Sequence, residues 1–243
     1  MRTDAEVVVV LDTTRSMLAR SNRNSPSRIA RAKNLALDLR TSVPTVPVGL
    51  ASLTDRTLPH LFPSIDERAF RTTLARSIGI ERPPPIGGFL SRATRLESIV
   101  AIATQGFFAP TAKVRVAVVL TDGESVPPTQ SRLDVAFSRP PGIRTLFVQV
   151  WGAEERVFAG RLPEPGYRSD PTAHDTLERF AAIVDGTVFT EGQAGEVASS
   201  LREILGDGPT VVRGERTEHV ALAPFLAASA FLPLVLLLWR RDR

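Results

Sequence analysis

Cysteine is absent from the 243 residues of this chain, which excludes disulfides, zinc–thiolate centres and thiol catalysis. Histidine is scarce. His60, His174 and His219 are scattered without ligand spacing, so a histidine-built metal site is not expected. Lys33 and Lys113 are the only lysines, and arginine carries the basic charge. The basic stretch Arg15, Arg20, Arg23, Arg28, Arg31 and Lys33 has no aromatic residue among its members. It therefore lacks the stacking surface of a nucleic-acid-binding module and reads as a solvated basic helix face. No internal repeat and no low-complexity tract is present. With 43% hydrophobic and 23% charged residues, the composition is that of a globular domain, and the length allows one α/β domain plus an appendage.

What is there begins at once. Residues 7–11 are an unbroken apolar run, Val-Val-Val-Val-Leu, that stops at Asp12 and passes into Thr13, Thr14, Arg15 and Ser16. Such a run without polar alternation suits a strand buried on both faces of a parallel sheet. Ligands of open α/β sheets bind beyond the carboxyl ends of such strands. Asp12, Thr14 and Ser16, spaced two apart, bring one carboxylate and two hydroxyls to that edge. These are hard oxygen donors of the kind Mg²⁺ or Mn²⁺ prefers. A strand end followed by a turn of helix-capping residues is the alternative reading of the same stretch.

Further along, Ser25-Pro26 marks a helix start, with Ile29, Ala32, Ala36, Leu39 and Val43 at helical spacing. A strand at 46–53, a turn at Asp55-Arg56 and a second strand at 57–62 predict an antiparallel hairpin, which Pro59 and Pro63 push to the sheet edge. Ser64 and Glu67 have capping-box spacing before a helix carrying Phe70, Leu74 and Ile78. After a proline- and glycine-rich loop at 81–88, Thr94 precedes another amphipathic helix. Residues 114–120 form a second buried strand that ends in a polar burst, Thr121-Asp122-Gly123-Glu124-Ser125. Asp12 and Asp122 should thus share one sheet edge. A helical patch at 133–137, a strand at 143–151, a loop at 164–171, a helix at 175–184, a strand at 187–190 and a helix at 196–205 complete the pattern. Alternation of this kind predicts a doubly wound α/β fold with a mostly parallel sheet and one antiparallel edge strand.

The composition then changes. Residues 220–239 contain no charge, and as a helix they span about 30 Å, a bilayer core. Trp239 followed by Arg240 and Arg241 reads as an interfacial anchor. The expected organisation is a domain at 1–207, a linker at 208–219, a transmembrane helix at 220–239 and a basic tail at 240–243. The tail argues for a cytoplasmic C-terminus and hence an extracytoplasmic domain. Because Met1 opens directly into the first strand, the expectation is that the true start lies upstream.

Asp12-Thr-Thr14-Arg-Ser16, Thr94 before a helix and Thr121-Asp122-Gly123-Glu124 after a strand resemble the metal-ion-dependent adhesion site of von Willebrand factor A (VWA) domains. That site is written D-x-S-x-S, then a threonine, then an aspartate in a T-D-G turn. The resemblance covers residues 7 to about 205. Within the superfamily, the opening motif with Ser27-Arg28-Ile29-Ala30-Arg31-Ala32-Lys33 is most similar to bacterial membrane-anchored Bat-type (aerotolerance) proteins. The resemblance implies that Thr14 and Ser16 ligate Mg²⁺ or Mn²⁺ through their hydroxyls. It implies that Asp12 and Asp122 hold the ion directly or through water, and that Thr94 joins or leaves with conformational state. The open position would accept a carboxylate from a protein partner. A MoxR-type AAA+ ATPase or another A-domain protein is the partner the family suggests. Thr14 replaces the usual serine and keeps the hydroxyl, whereas Arg15 replaces the commoner glycine.

Enzymatic readings find less support. An aspartate-nucleophile phosphatase needs a second aspartate where Thr14 stands. A glycosidase needs a singled-out carboxylate pair. A serine hydrolase needs a histidine in a strand-end loop near Ser16 or Ser125, and a phosphate-binding glycine loop is missing. The expectation is a non-enzymatic, membrane-anchored, metal-dependent binding module. A metal-free A-type domain acting as a structural subunit of a membrane complex is the alternative.

Overall fold

A computed structural model describes residues 1–86, 94–127 and 133–211. Among them lies a six-stranded sheet in the order β3-β2-β1-β4-β5-β8. The central strands are β1 (Ala5–Asp12), β4 (Val114–Thr121) and β5 (Arg144–Gln149), flanked by β2 (Val48–Leu53) on one side and β8 (Thr187–Thr190) on the other. All of these pair in parallel. β3 (Thr57–Ser64) alone runs antiparallel, at the edge beside β2, as the short turn after Leu53 requires. Pro59 sits within this edge strand, which shows bulged register against β2.

The apolar runs are continuous because both sheet faces are covered. Val7, Val9 and Leu11 point to one side, where they pack with Val116, Val118, Leu120 and the helices α1 (Arg28–Ser42), α2 (Glu67–Arg76) and α6 (Ala194–Leu205). Val8 and Val10 point to the other. There they meet Val119, Phe147, Ile99, Ile102 and the helices α3 (Val100–Thr104), α4 (Leu133–Ser138) and α5 (Ala173–Ile183). Phe147 and Phe180 are fully buried and make an edge-on aromatic pair with centroids 6.0 Å apart.

Three local readings shift. α1 begins at Arg28 with Ser27 at its N-cap, two residues after the expected start. The Arg28 amide donates to Ala19 O, which ties the helix start to the preceding loop. α2 is capped by Asp66, whose carboxylate accepts from the Ala69 amide, not by Ser64. A small antiparallel pair, β6 (Phe158–Ala159) with β7 (Leu162–Pro163), occupies a stretch the sequence pattern left irregular.

A compact unit runs from Met1 to Val211. Its ends are joined: the Val211 amide donates to Met1 O, and the Arg2 guanidinium donates to Leu205 O and Gly206 O at the end of α6. Among the described residues no helix is long and apolar enough to cross a membrane. The membrane helix expected at 220–239, its tail and most of the linker lie outside the described residues.

Candidate metal centre

Strand order reverses at β1, with β2 on one flank and β4 on the other, and the carboxyl ends of β1 and β4 form the crevice where such sheets bind ligands. Asp12 ends β1 there and is fully buried. Its Oδ1 accepts from the Thr14 amide at 2.9 Å and from the Thr14 hydroxyl at 2.7 Å. Its Oδ2 accepts from the Thr121 hydroxyl at 2.7 Å and the Thr94 hydroxyl at 3.2 Å. Thr14 Oγ1 lies 3.1 Å from Ser16 Oγ and 2.9 Å from Thr94 Oγ1. The structure thus gathers Asp12, Thr14, Ser16 and Thr94 into one oxygen cluster. Ser16, partly exposed, is the member nearest solvent, and Thr14 and Thr94 are buried.

Thr94 reaches the cluster because its backbone pairs with the turn after β4. Thr94 forms a parallel bridge with Ser125, the Ser125 hydroxyl donates to Thr94 O at 2.9 Å, and the Val126 amide donates to the same carbonyl. A 3₁₀ turn, Leu96–Ile99, then leads into α3. The β4 turn is itself tightly determined. Gly123 has φ +81°, and a Cβ there would stand 2.7 Å from Ala173 O, so only glycine fits. Asp122 follows Thr121 into this turn and is fully buried. Its Oδ1 accepts from the Glu124 amide at 3.0 Å, and its backbone carbonyl accepts from Gln149 Nε2 at 3.1 Å.

One residue that the sequence reading set among the solvated basic face belongs to this site. Arg28, at the start of α1, is fully buried. Its Nη1 donates to Asp122 Oδ2 at 3.0 Å, Glu124 Oε1 at 2.7 Å and Tyr167 Oη at 2.9 Å. Its Nε donates to Glu155 Oε2 at 2.6 Å, and its Nη2 to Ser169 Oγ at 2.8 Å. Arg31, one helical turn on, also bonds Glu155, at 2.7 Å. The signal was present in spacing alone: Arg28 stands four residues before Ala32 and seven before Leu35, on the buried stripe of α1.

The electrostatics follow from burial. Asp12 is pushed up to about 7, first by desolvation and then by the Asp122 charge, against the pull of its hydroxyl and amide donors. Glu124 is raised by burial and by Asp122. Burial works to lower the Arg28 pKa, and the charges of Asp122 and Glu124 more than reverse it.

No family model matches the chain, and no curated protein matches it. Solved structures do. BatB from Bacteroides thetaiotaomicron superposes with a TM-score of 0.66 at 19% identity, covering 83% of this chain and 98% of that one. An aerotolerance-related membrane protein from Bacteroides fragilis gives 0.62 at 20% identity, with the same coverages of 83% and 98%. The chain has the Bat-type fold. Proximal thread matrix protein 1 from the mussel byssus, in a structure with a zinc-occupied MIDAS motif, is more distant. Its TM-score is 0.51 at 15% identity, over 84% of this chain and 46% of that one. At such identities the likeness is one of fold.

The residues of the site suit a divalent ion. The cluster offers the Asp12 carboxylate and three hydroxyls, all hard oxygen donors, and the buried Asp122 carboxylate lies near enough for its charge to act on Asp12. Beside it the carboxylates of Asp122, Glu124 and Glu155 pair with the buried Arg28 guanidinium, and Arg31 also bonds Glu155. Asp12 is raised by its burial and by the Asp122 charge, and among the described residues its bonded donors are an amide and hydroxyls. Among the described residues histidine takes no part, and no group of three or more His, Cys, Asp or Glu side chains is arranged to hold a metal. Any ion here would rely on the hydroxyls.

Two other features lie apart from this edge. Ser52 Oγ is 2.8 Å from His60 Nε2, but Ser52 is buried within β2, between the β1 and β3 ladders, where backbone donors are committed to strand pairing. A cleft of about 920 Å³ opens at the amino ends of β4 and β5, lined by Val114, Phe137, Arg144 and Asp185 among others. It is at the far end of the strands from Asp12 and Asp122.

Proposed function

We propose that this chain is a membrane-anchored, divalent-metal-dependent protein-interaction module. Asp12, Thr14, Ser16, Thr94 and Asp122 would hold Mg²⁺ or Mn²⁺, and the ion would recognise a carboxylate of a partner protein. The observation that carries the reading is the convergence of Asp12, Thr14, Ser16 and Thr94 at hydrogen-bond distance, with Asp122 buried beside them and Asp12 left without a cation. An ion held by two anionic and three neutral oxygens keeps residual positive charge for an acidic guest. A Bat-type fold, and a distant fold relative described as holding zinc in its MIDAS motif, are consistent with this chemistry.

Binding rather than catalysis is the reading we favour, because among the described residues the cluster has no nucleophile–histidine pair: His174 contacts Gln149 and Glu178, and His60 contacts Ser52. Membrane attachment rests on the uncharged stretch 220–239 and on a fold neighbour described as a membrane protein. The partner we infer is a protein presenting Asp or Glu, of the MoxR-type ATPase class or a second A-domain protein. Co-purification from membranes, with and without EDTA, tests the module directly. A partner lost on chelation and restored by Mg²⁺ is expected. A partner retained equally in EDTA excludes a metal-bridged contact.

One observation favours a second reading. Asp122 already has a cation, the buried Arg28 guanidinium at 3.0 Å. A metal-free domain acting as a structural subunit would use that ion pair in place of a bound ion.

A further inference from the structure

We propose that Arg28 is a positioning residue of the metal centre: it holds Asp122 by one oxygen and shares its charge, so that a bound divalent ion stays electropositive enough to take an external carboxylate. This rests on the metal-binding reading above and adds a residue to it.

The two aspartates of the site are held in opposite ways. Asp12 accepts only from neutral donors, the Thr14 amide and the hydroxyls of Thr14, Thr94 and Thr121. Asp122 accepts from the Glu124 amide on one oxygen and from a guanidinium on the other. Asp12 has no cationic donor among the described residues; Asp122 is compensated before any ion arrives. A cation facing both is neutralised less than two free carboxylates would allow, which leaves it charge with which to hold a guest.

Arg28 cannot leave this post easily. Its remaining N–H groups go to Glu124, Glu155, Tyr167, Ser169 and Gly152 O, from the loops after β4 and β5 and the loop after β7. Tyr167 in turn donates to Glu124 at 2.9 Å. Stability alone does not account for the arrangement, because a buried ion network is often no more stabilising than well-packed apolar residues of the same volume. Position 28 lies on the apolar stripe of α1, where leucine would serve packing.

The test uses the full chain in mild detergent. Mn²⁺ affinity is read from the free-ion paramagnetic resonance signal. Sodium acetate is then titrated into the Mn²⁺-loaded protein and followed by water-proton relaxation, with circular dichroism as the folding control. Arg28→Gln and the charge-balanced Arg28→Gln/Glu155→Gln are expected to bind Mn²⁺ about tenfold more tightly and acetate about tenfold more weakly than wild type. The two affinities moving in opposite directions is a result that lost structure does not produce. Both falling together, or neither changing, overturns the role given to Arg28. Arg28→Lys keeps the charge and is expected to hold acetate within about threefold of wild type; if the glutamine variants do not fold, loss of acetate binding by a folded Arg28→Lys overturns the proposal. Wild-type protein that binds no Mn²⁺ is a separate result, and it removes the metal-binding reading itself.

Discussion

Four hydrogen-bond donors converge on Asp12, all of them neutral, and the charge that acts on it most strongly is that of another carboxylate, Asp122. Desolvation first and that repulsion second raise it from its ordinary 3.8 to about 7. The sign of the consequence is fixed. In the metal-free protein the native state binds the proton more tightly than the unfolded chain. The resulting stabilisation is full below pH about 4 and is lost as pH rises through about 7. A divalent ion must displace that proton. Mg²⁺ affinity is therefore expected to weaken by up to about tenfold per pH unit below pH 7 and to level off above it, as titration calorimetry from pH 5 to 8 would read. An affinity flat across that range contradicts the raised Asp12. Thr94 offers a cleaner single-atom test, since its hydroxyl touches both Asp12 and Thr14. Thr94→Val keeps the shape and removes the oxygen. It is expected to lower Mn²⁺ affinity on the order of tenfold while leaving the thermal midpoint of the metal-free protein within a few degrees.

At the scale of elements, the site is made by two strand ends and the turns that follow them. The turn after β4 does three things at once. It buries Asp122, sends the Thr121 hydroxyl to Asp12, and through Ser125 fixes the backbone of Thr94. Its dependence on Gly123, at φ +81° and against the Ala173 carbonyl, gives a prediction. Gly123→Ala should cost about 1–3 kcal/mol of stability in urea unfolding and weaken metal binding with it. A variant as stable as wild type would mean the turn is not held against α5 in this way.

The same elements show what can be read from a chain and what cannot. The buried strands announce themselves as apolar runs ending in polar bursts, so Asp12 and Asp122 on one edge follow from the pattern, as does the antiparallel β3. Thr94 was placed only by its position before a helix, and the bridge to Ser125 is what carries it into contact with Thr14. Arg28 is hidden among the basic residues because its partners stand far off in sequence, at Asp122, Glu124, Glu155 and Ser169. Ion pairs of that separation leave no local periodicity. Only its place on the apolar stripe of α1 betrayed it, and a charge at such a position is easily assigned to solvent. The β6–β7 pair is two residues a side, too short for alternation to register.

For the whole molecule, the compact unit closes on itself between Met1 and Val211, with Arg2 fastened to the end of α6. A chain ending at Val211 is expected to unfold in one cooperative transition and to bind Mn²⁺ as tightly as the full chain, whereas the full chain should sediment with membranes and the shortened one should not. Sedimentation of both to the same extent would remove residues 220–239 as the anchor. Tethering would matter to a site of this kind because a modest affinity for one carboxylate becomes effective when partner and module share a surface.

Binding of a divalent ion at Asp12 and Asp122 is tested most directly by calorimetric titration of the purified chain with Mg²⁺ and Mn²⁺ at pH 8. Saturable binding of one ion is predicted, weakened about 100-fold or more in Asp122→Ala. No binding by the wild type, or binding unchanged in Asp122→Ala, contradicts it.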